Sequence, residues 1–348
     1  VIVQRLLYQD RPPWQMLVTL LKTERRHTAT EGEIVQQTET WLAYRVPEPG
    51  YLRIQGADRA DFVQRQTTND VRQLGPGRSL LTVLTSATAR ILDVWQLVPE
   101  PDGIGVVTLP GQGAATARYL QKRIFFMDKV TVVDDSSRFA QFRIVGAARI
   151  PGFAAMPGAG AIAEGEIGGV AARAIGLAPA LGGGALLLVE ASAGDPLADQ
   201  LAAAGARLLA PEAYETWRVE QGLPGPQGEL TEDFTPLEVG LSETVSGEKG
   251  CYTGQEIIAR QITYDKVTRG LVGVVLEGPA APGDTVEVEG RRAGTITSAI
   301  ESPRLGPVAL AVLKRPHNQP GTPVTVLHEE QPTAGTVSAL PFAERAGG

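Results

Sequence analysis

The sequence of 348 residues holds one cysteine and three histidines. A single thiol makes no internal disulfide, so no disulfide framework holds this fold and nothing marks the chain as secreted. Iron–sulfur clusters commonly take four cysteine ligands, which one copy of this chain does not have. His27, His317 and His328 lie far apart and lack the spacing of a metal site, so no stably bound metal is expected. No run of about twenty apolar residues occurs, and no transmembrane helix is expected. Val1 to Leu21 mixes its apolar residues with Arg5, Asp10, Arg11, Pro12 and Pro13, which spoils a signal peptide and makes cytoplasm the expected compartment. Aromatics are scarce at 5%, and 39 acidic residues outweigh 32 Lys and Arg for a net charge of −7. That removes the stacking platform and the cationic footprint of a nucleic-acid binder, and argues against an anionic membrane as partner. An anionic small ligand needs a locally placed Arg or Lys.

What is present is an ordinary globular composition, 43% hydrophobic and 20% charged, long enough for two or three domains. Residues 1–45 carry little pattern. Tyr51–Ile54 alternates like a strand, and Asp58 stands as N-cap before Phe62, Val63 and Gln66 on one helix face. Leu80–Thr85, Ile91–Val98 and Ile104–Leu109 read as strands, Ala114–Ile124 as a helix, and Lys129–Val133 and Arg138–Val145 as further strands. The Ala/Gly-rich Pro151–Gly169 reads as a loop. Ala185–Glu190 is an apolar strand, followed by helices over Pro196–Ala204 and Pro211–Gln221. After Arg269, helical periodicity gives way to Leu271–Leu276, Thr285–Val288, Gly294–Ile300, Val308–Leu313 and Val324–Leu327. Close-set short strands with turn punctuation predict a small antiparallel barrel or sandwich from about residue 268. The grouping of strands makes the class α+β.

The lone cysteine lies in Lys249-Gly250-Cys251-Tyr252-Thr253-Gly254-Gln255-Glu256. Two glycines bracket it, allowing a sharp turn or close approach to a ligand. Thr253 and Glu256 have the spacing of a capping box, which places Cys251 two residues before a helix N-cap with Lys249 nearby. Both features favour a thiolate. A small buried hydrophobe is the alternative for Cys251; Lys249 also reads as a solvated charge, Glu256 as a cap and Gln255 as a turn residue. A Cys–His pair finds no histidine placed to serve as base.

This octapeptide resembles the signature of the YgfZ-type folate-binding proteins, relatives of the glycine-cleavage T-protein and counterparts of mitochondrial iron–sulfur maturation factors. Gly56–Asp58 through Gln66-Thr67-Thr68-Asn69-Asp70-Val71 is similar to the family's first helix and its Thr-Asn-Asp-Val end. Trp217-Arg218-Val219-Glu220-Gln221-Gly222-Leu223-Pro224 resembles its Leu-Arg-Ile-Glu-x-Gly-x-Pro segment, and Thr235-Pro236-Leu237-Glu238 its Ile-Pro-x-Glu. The resemblance implies three domains in a ring around a folate-sized cleft. Residues 46–135 with 206–267 would form the folate-binding core, 136–205 a ferredoxin-like part and 268–348 the C-terminal barrel.

It further implies a tetrahydrofolate or related folate as ligand, with iron–sulfur enzymes or assembly proteins as partners of a monomer. Cys251 and Lys249 would carry the chemistry. Arg218, Asn69, Asp93, Gly250, Tyr252, Gly254, Gln255 and Glu256 would contribute to folate binding, Arg218 through the ligand's carboxylates. Asp93 resembles the position of the T-protein's catalytic aspartate, which leaves two alternatives: a folate-dependent one-carbon transferase using Asp93, and a folate-binding scaffold without chemistry. Arg218 also fits a helix salt bridge with Glu215 or Glu220, Asp93 a solvent-facing strand position, and Asn69 with Asp70 a helix end. The chain departs from the family at Gly184–Leu188, where a pterin-gripping glutamate is replaced by leucine, and at Ala89-Arg90, where Gly-Arg is usual. The Lys-Gly-Cys motif is itself foreign to the T-protein and points away from aminomethyl transfer.

Overall fold

A computed structural model describes residues 41–343. The expectations for residues 1–40 lie outside them. The first stretch comprises β1 (Leu42–Arg45), β2 (Gly50–Gln55), α1 (Arg59–Gln66), β3 (Leu80–Thr85), β4 (Ile91–Glu100), β5 (Gly103–Thr108), α2 (Gly113–Gln121) and β6 (Thr131–Asp134). Then come β7 (Phe139–Val145), β8 (Ile162–Ile167), β9 (Val170–Gly176), β10 (Ala185–Glu190), α3 (Gly194–Ala203), β11 (Arg207–Leu208) and α4 (Pro211–Glu220). The last stretch holds α5 (Gln255–Thr263) and β12 (Arg269–Leu276), β13 (Thr285–Val288), β14 (Arg291–Ser302), β15 (Gly306–Lys314), β16 (Pro323–His328) and β17 (Gln331–Ser338).

Three sheets result. The first is antiparallel with order β3-β4-β5-β2-β6. One face carries Leu52, Ile54, Trp95, Leu97 and Val106, covered by Phe62 and Val63 of α1 and Leu120 of α2. Its other face is also covered, which explains why β4 is buried along most of its length. Tyr51, Val98 and Val107 pack there on Ile175, Leu186 and Leu188 of the second sheet. Leu81, Val83, Ile91 and Val94 pack on Leu230, Phe234, Val239 and Leu241 and on Val312 of the barrel.

The second sheet, β11-β1-β7-β10-β9-β8, is antiparallel except for the β1–β11 pair. Leu197 and Leu201 of α3 cover its outer face against Phe142, Ile144 and Leu187. The implied ferredoxin-like part is thus a sheet backed by one α-helix among the described residues. β12-β15-β14-β13-β16-β17 close into an antiparallel barrel. Val219 of α4 packs against Leu305, Val308 and Leu310 on the barrel's outside. No described helix is long and apolar enough to cross a membrane.

Three local expectations need correction. Pro151–Gly169 is not all loop: residues 162–167 form β8, paired with β9 around the turn Gly168-Gly169, both at positive φ. Asp58 precedes α1, but its side chain makes no cap bond and instead accepts from the Lys129 amide at 2.8 Å. The capping box at Thr253 and Glu256 does not form; the helix is capped by Gly254 in the left-handed region, and Glu256 pairs with Arg260.

Candidate functional site

The signature segment closes the C-terminal end of α1 from far along the chain. A helix leaves its last carbonyls without partners and its C-terminus partly negative. Lys249 Nζ donates to the carbonyls of Gln64 at 2.8 Å, Thr67 at 2.5 Å and Asn69 at 2.6 Å. The Thr253 amide donates to Arg65 O at 3.1 Å, and the Thr85 hydroxyl to Thr253 O at 2.7 Å. The segment is therefore clamped at both ends. Between the clamps Tyr252 tucks inward, buried against Ala89 and Ile258, its ring centroid 4.9 Å from the ammonium. Gly250 and Cys251 are left outside, exposed.

Burial lowers Lys249 to about 8, with nearby Asp70 opposing, while burial raises Tyr252 to about 12. An ammonium has three N–H donors and all three are taken by carbonyls. Lys249 thus has no donor to offer Cys251, and the expected thiolate partner is instead an anchor.

The bracketing glycines differ. At Gly254, φ is +86° and an added Cβ would sit 2.7 Å from Ser86 O, so glycine is required there. At Gly250 a Cβ would meet nothing within 4 Å. Gln255 and Glu256 begin α5, half-buried and exposed respectively. The Asn69 side chain bridges the end of α1 to β3, donating to Leu81 O at 2.9 Å and accepting from the Asp70 amide at 2.9 Å.

Arg218 and Asp93 are absorbed by the fold. The Arg218 guanidinium bonds both oxygens of Glu215, Glu229 Oε2 at 3.2 Å, Leu223 O at 2.5 Å and Ser298 Oγ at 2.8 Å. These use all five donors, so the expected grip on a ligand carboxylate has nothing left to make it. The side chain ties α4 to β14 instead. Asp93 is fully buried rather than solvent-facing, and burial pushes its carboxyl up to about 6. Its oxygens accept from the amides of Val94 and Leu109, Trp95 Nε1 and the Thr116 hydroxyl at 2.6–3.0 Å. That set holds β4, β5 and α2 together and presents no free face to a substrate.

Two family-like segments do meet, at a cleft of about 420 Å³. Gln221–Pro224 after α4 forms one wall and Leu237–Gly240 another, with Arg269, Arg315 and Asn318 from the barrel side. Glu238 is buried beside it, held by Arg269 at 2.7 Å, Arg90 at 3.4 Å and the Thr235 amide at 2.9 Å. Sequence reasoning found Thr235–Glu238 but missed its arginines, because the pairs lie 31 and 148 residues apart. Neither this cleft nor a second, of about 460 Å³ beside Pro47–Pro49, is lined by Cys251, Lys249, Asp93 or Arg218. No cluster of potential metal ligands occurs among the described residues.

Residues 10–249 match the GCVT N-terminal domain, and residues 269–344 the glycine cleavage T-protein C-terminal barrel domain. The chain belongs to the glycine-cleavage T-protein family. Its similarity extends to a chloroplastic protein of Arabidopsis thaliana that carries a transferase name, 31% identical over 85% of this chain and 70% of the relative. An aminomethyltransferase of Streptomyces avermitilis is 29% identical over 85% of this chain and 84% of that one. The aminomethyltransferase T of the glycine cleavage system from Bartonella henselae shares the fold, with a TM-score of 0.74 at 21% identity, covering 88% and 87% of the two chains.

Cys251 falls between the two matched domains of the family, in residues 250–268. Ala89, where the family's glycine was expected, has φ +61°, a left-handed backbone that glycine adopts freely. At the expected pterin carboxylate, Leu186 and Leu188 are buried between the first and second sheets.

Proposed function

We propose that this protein binds a reduced folate in the cleft beside the barrel and presents Cys251 as a separate surface thiol in the assembly or repair of iron–sulfur proteins. The observation that carries the thiol half is the clamp: buried Lys249 and Tyr252 and bonded Thr253 hold one exposed cysteine at a fixed place. A merely structural cysteine would be buried, as free cysteines usually are. The likeness of Lys249–Glu256 to the signature of YgfZ-type proteins supplies the iron–sulfur context.

The folate half rests on family membership and on the cleft's fit. Its volume lies within the usual range for small-molecule sites, roughly 300–1,000 Å³. Leu223, Leu237, Leu271 and Leu340 give an apolar lining; Asn318, with the donors that Arg315 keeps beyond its pair with Asp265 and Arg269 beyond its bonds to Glu238 and Asp233 O, can serve the carboxylates of a glutamate tail. The pterin edge is served less well, since the oxygens of Glu238 are engaged and residues 186–188 are leucines. Transfer chemistry at Asp93 gains no support, because its carboxylate already has four donors.

The test is calorimetric titration with tetrahydrofolate of wild type, Cys251→Ser and Arg315→Ala, alongside rescue of iron–sulfur enzyme activity in cells lacking the protein. Cys251→Ser is expected to bind folate as wild type does and to lose rescue. Arg315→Ala is expected to weaken binding by roughly 1.5–3 kcal/mol, the scale of a hydrogen bond to a charged group. Full rescue by Cys251→Ser would remove the thiol role; unchanged affinity in Arg315→Ala would move the folate elsewhere.

A further inference from the structure

Between α2 and β6 three consecutive large apolar residues face solvent: Phe125 is 69% exposed, Phe126 96% and Met127 73%. Isolated exposed apolar residues are ordinary, but a contiguous patch marks an interaction surface. The packing on either side holds these residues out, because Ile124 and Val130 are anchored in the core under the first sheet. The turn is closed in both directions, the Asp128 amide donating to Phe125 O at 2.9 Å and the Phe125 amide to Asp128 Oδ2 at 3.1 Å. Two aromatic rings and a methionine are thus presented on a fixed backbone, which lowers the entropy lost when they are covered.

Arg65 joins this turn to the thiol. Its guanidinium bonds both oxygens of Asp128 at 3.0 and 2.9 Å, while its backbone carbonyl accepts from the Thr253 amide at 3.1 Å. One residue therefore touches both the base of the apolar turn and the end of the Cys251 loop. The charged residues flanking the turn in sequence are mostly cationic, with the Asp58 carboxylate on the Lys129 amide and Glu232 near Tyr119 as acidic neighbours. Lys122 and Lys129 are exposed, Arg123 lies over the Tyr119 ring 3.6 Å from its centroid, and Asp128 is neutralised by Arg65. No ion pair among the described residues engages Lys122, Arg123 or Lys129. In a chain of net charge −7, the apolar turn carries a cationic rim.

We propose that Phe125, Phe126 and Met127, with the rim of Lys122, Arg123 and Lys129, form the docking surface for an acidic, apolar segment of a partner protein, and that Arg65 sets this surface beside Cys251. The cationic rim selects acidic segments, and the rigid aromatic turn supplies apolar contact. An anionic lipid surface would meet the same rim and turn but offers the thiol nothing to act on. Delivery to Cys251 rests on the thiol reading above; docking itself does not.

Two measurements separate them. Docking is read by fluorescence anisotropy with a labelled synthetic peptide of alternating Glu and Phe, against a peptide of alternating Lys and Phe. The acidic peptide is expected to bind about tenfold tighter or more, with the preference lost in Phe126→Ser/Met127→Ser, in Lys122→Glu/Lys129→Glu and at raised salt. Equal affinity for the two peptides, or a preference that survives both variants, would overturn the proposal. So would tight binding to vesicles of phosphatidylglycerol and phosphatidylcholine in equal parts, abolished by the same variants while the acidic peptide fails to bind.

Delivery is read by thiol–disulfide exchange with the acidic peptide carrying a cysteine disulfide-linked to 2-mercaptoethanol, against bis(2-hydroxyethyl) disulfide. The Cys251 thiolate attacks one sulfur, the S–S bond breaks, a mixed disulfide forms and the other sulfur leaves as thiolate. The peptide is expected to exchange about tenfold faster than the small disulfide, and the ratio to fall near one in the turn variant. A thiol inert even to the small disulfide would overturn the thiol reading and delivery with it, leaving docking to the anisotropy result. A reactive thiol with no peptide advantage would overturn delivery alone.

Discussion

Arg218 and Lys249 are buried cations to nearly the same degree, 4% and 5% exposed, and each has every donor engaged. Their surroundings differ in kind. Arg218 sits between two carboxylates, Glu215 and the fully buried Glu229, at the seam between α4 and the barrel. Lys249 meets only backbone carbonyls at the end of α1, and Asp70, the carboxylate whose charge favours its ammonium, is itself bonded to Arg72 and Gln64. The first arrangement is a compensated ion cluster that locks two parts of the fold. The second is a charge held by dipoles, which positions a loop and stays responsive to pH.

The largest expected effect breaks the first arrangement. Arg218→Met keeps much of the stem but strands Glu229 as a buried charge without its cation. Breaking a buried pair by removing one partner typically costs about 3–5 kcal/mol. Urea denaturation at neutral pH should show a loss on that scale, and a loss under about 1 kcal/mol would mean the α4–barrel seam does not depend on the cluster. If folate affinity fell with no loss of stability, Arg218 would instead be reaching the ligand.

Lys249→Met is expected to cost less, about 2 kcal/mol, because losing three charged hydrogen bonds is offset by no longer burying an ammonium. The pH dependence separates the two sites. With Lys249 lowered to about 8 from its ordinary 10.5, the unfolded chain holds a proton there that the folded chain has lost. Stability therefore rises with pH through this window, by up to about 1.4 kcal/mol per unit, and below pH 8 the cost of the buried charge is fully present. Tyr252 acts oppositely above pH 10, since its folded value of about 12 makes ionisation favour the unfolded chain. The comparison belongs between pH 8 and 10, with wild type gaining stability relative to Lys249→Met and Arg218→Met showing no such divergence from wild type. A flat difference between wild type and Lys249→Met would mean the carbonyls hold the ammonium through this range.

Much of this was legible in the residues, and the exceptions have physical causes. β8 and β9 are joined by Gly168-Gly169, a turn signal plain in the sequence, yet the small residues of Ile162–Ile167 hid the strand itself. β17 was hidden more thoroughly: its hairpin turn is Glu329-Glu330, both at positive φ without glycine, and Gln331–Ser338 is mostly polar or small. β1 lay in a segment read as patternless because its pairing with β7 and β11 is long-range. At the site, the motif announced that Lys249–Glu256 mattered, but spacing alone could not say which way Lys249 pointed. Its partners are carbonyls 180–185 residues away, and backbone acceptors carry no sequence signature. Arg65 and Arg269 were missed because their carboxylate partners, Asp128 and Glu238, lie 63 and 31 residues away.

The smallest effects test the loop between the clamps, where sequence gave both glycines the same meaning. Gly254→Ala forces a left-handed backbone on a residue with a Cβ and drives that atom toward Ser86 O, only 2.7 Å away. A cost of roughly 1–3 kcal/mol is expected from such strain, and α5 must shift to relieve it. Because Gly254 follows Thr253 directly, the shift pulls on the Arg65 carbonyl bond and on the loop's far end, so alkylation of Cys251 should change in rate. Gly250→Ala adds its Cβ to open space beside an ordinary backbone and should stay within about 0.5 kcal/mol of wild type. Its alkylation rate should be nearly that of wild type, because Lys249 and Tyr252 on either side hold the loop without help from the glycine. If Gly250→Ala cost as much as Gly254→Ala, the loop would be placed by backbone freedom rather than by the buried lysine, and the contrast between Lys249 and Arg218 would lose its bearing on Cys251.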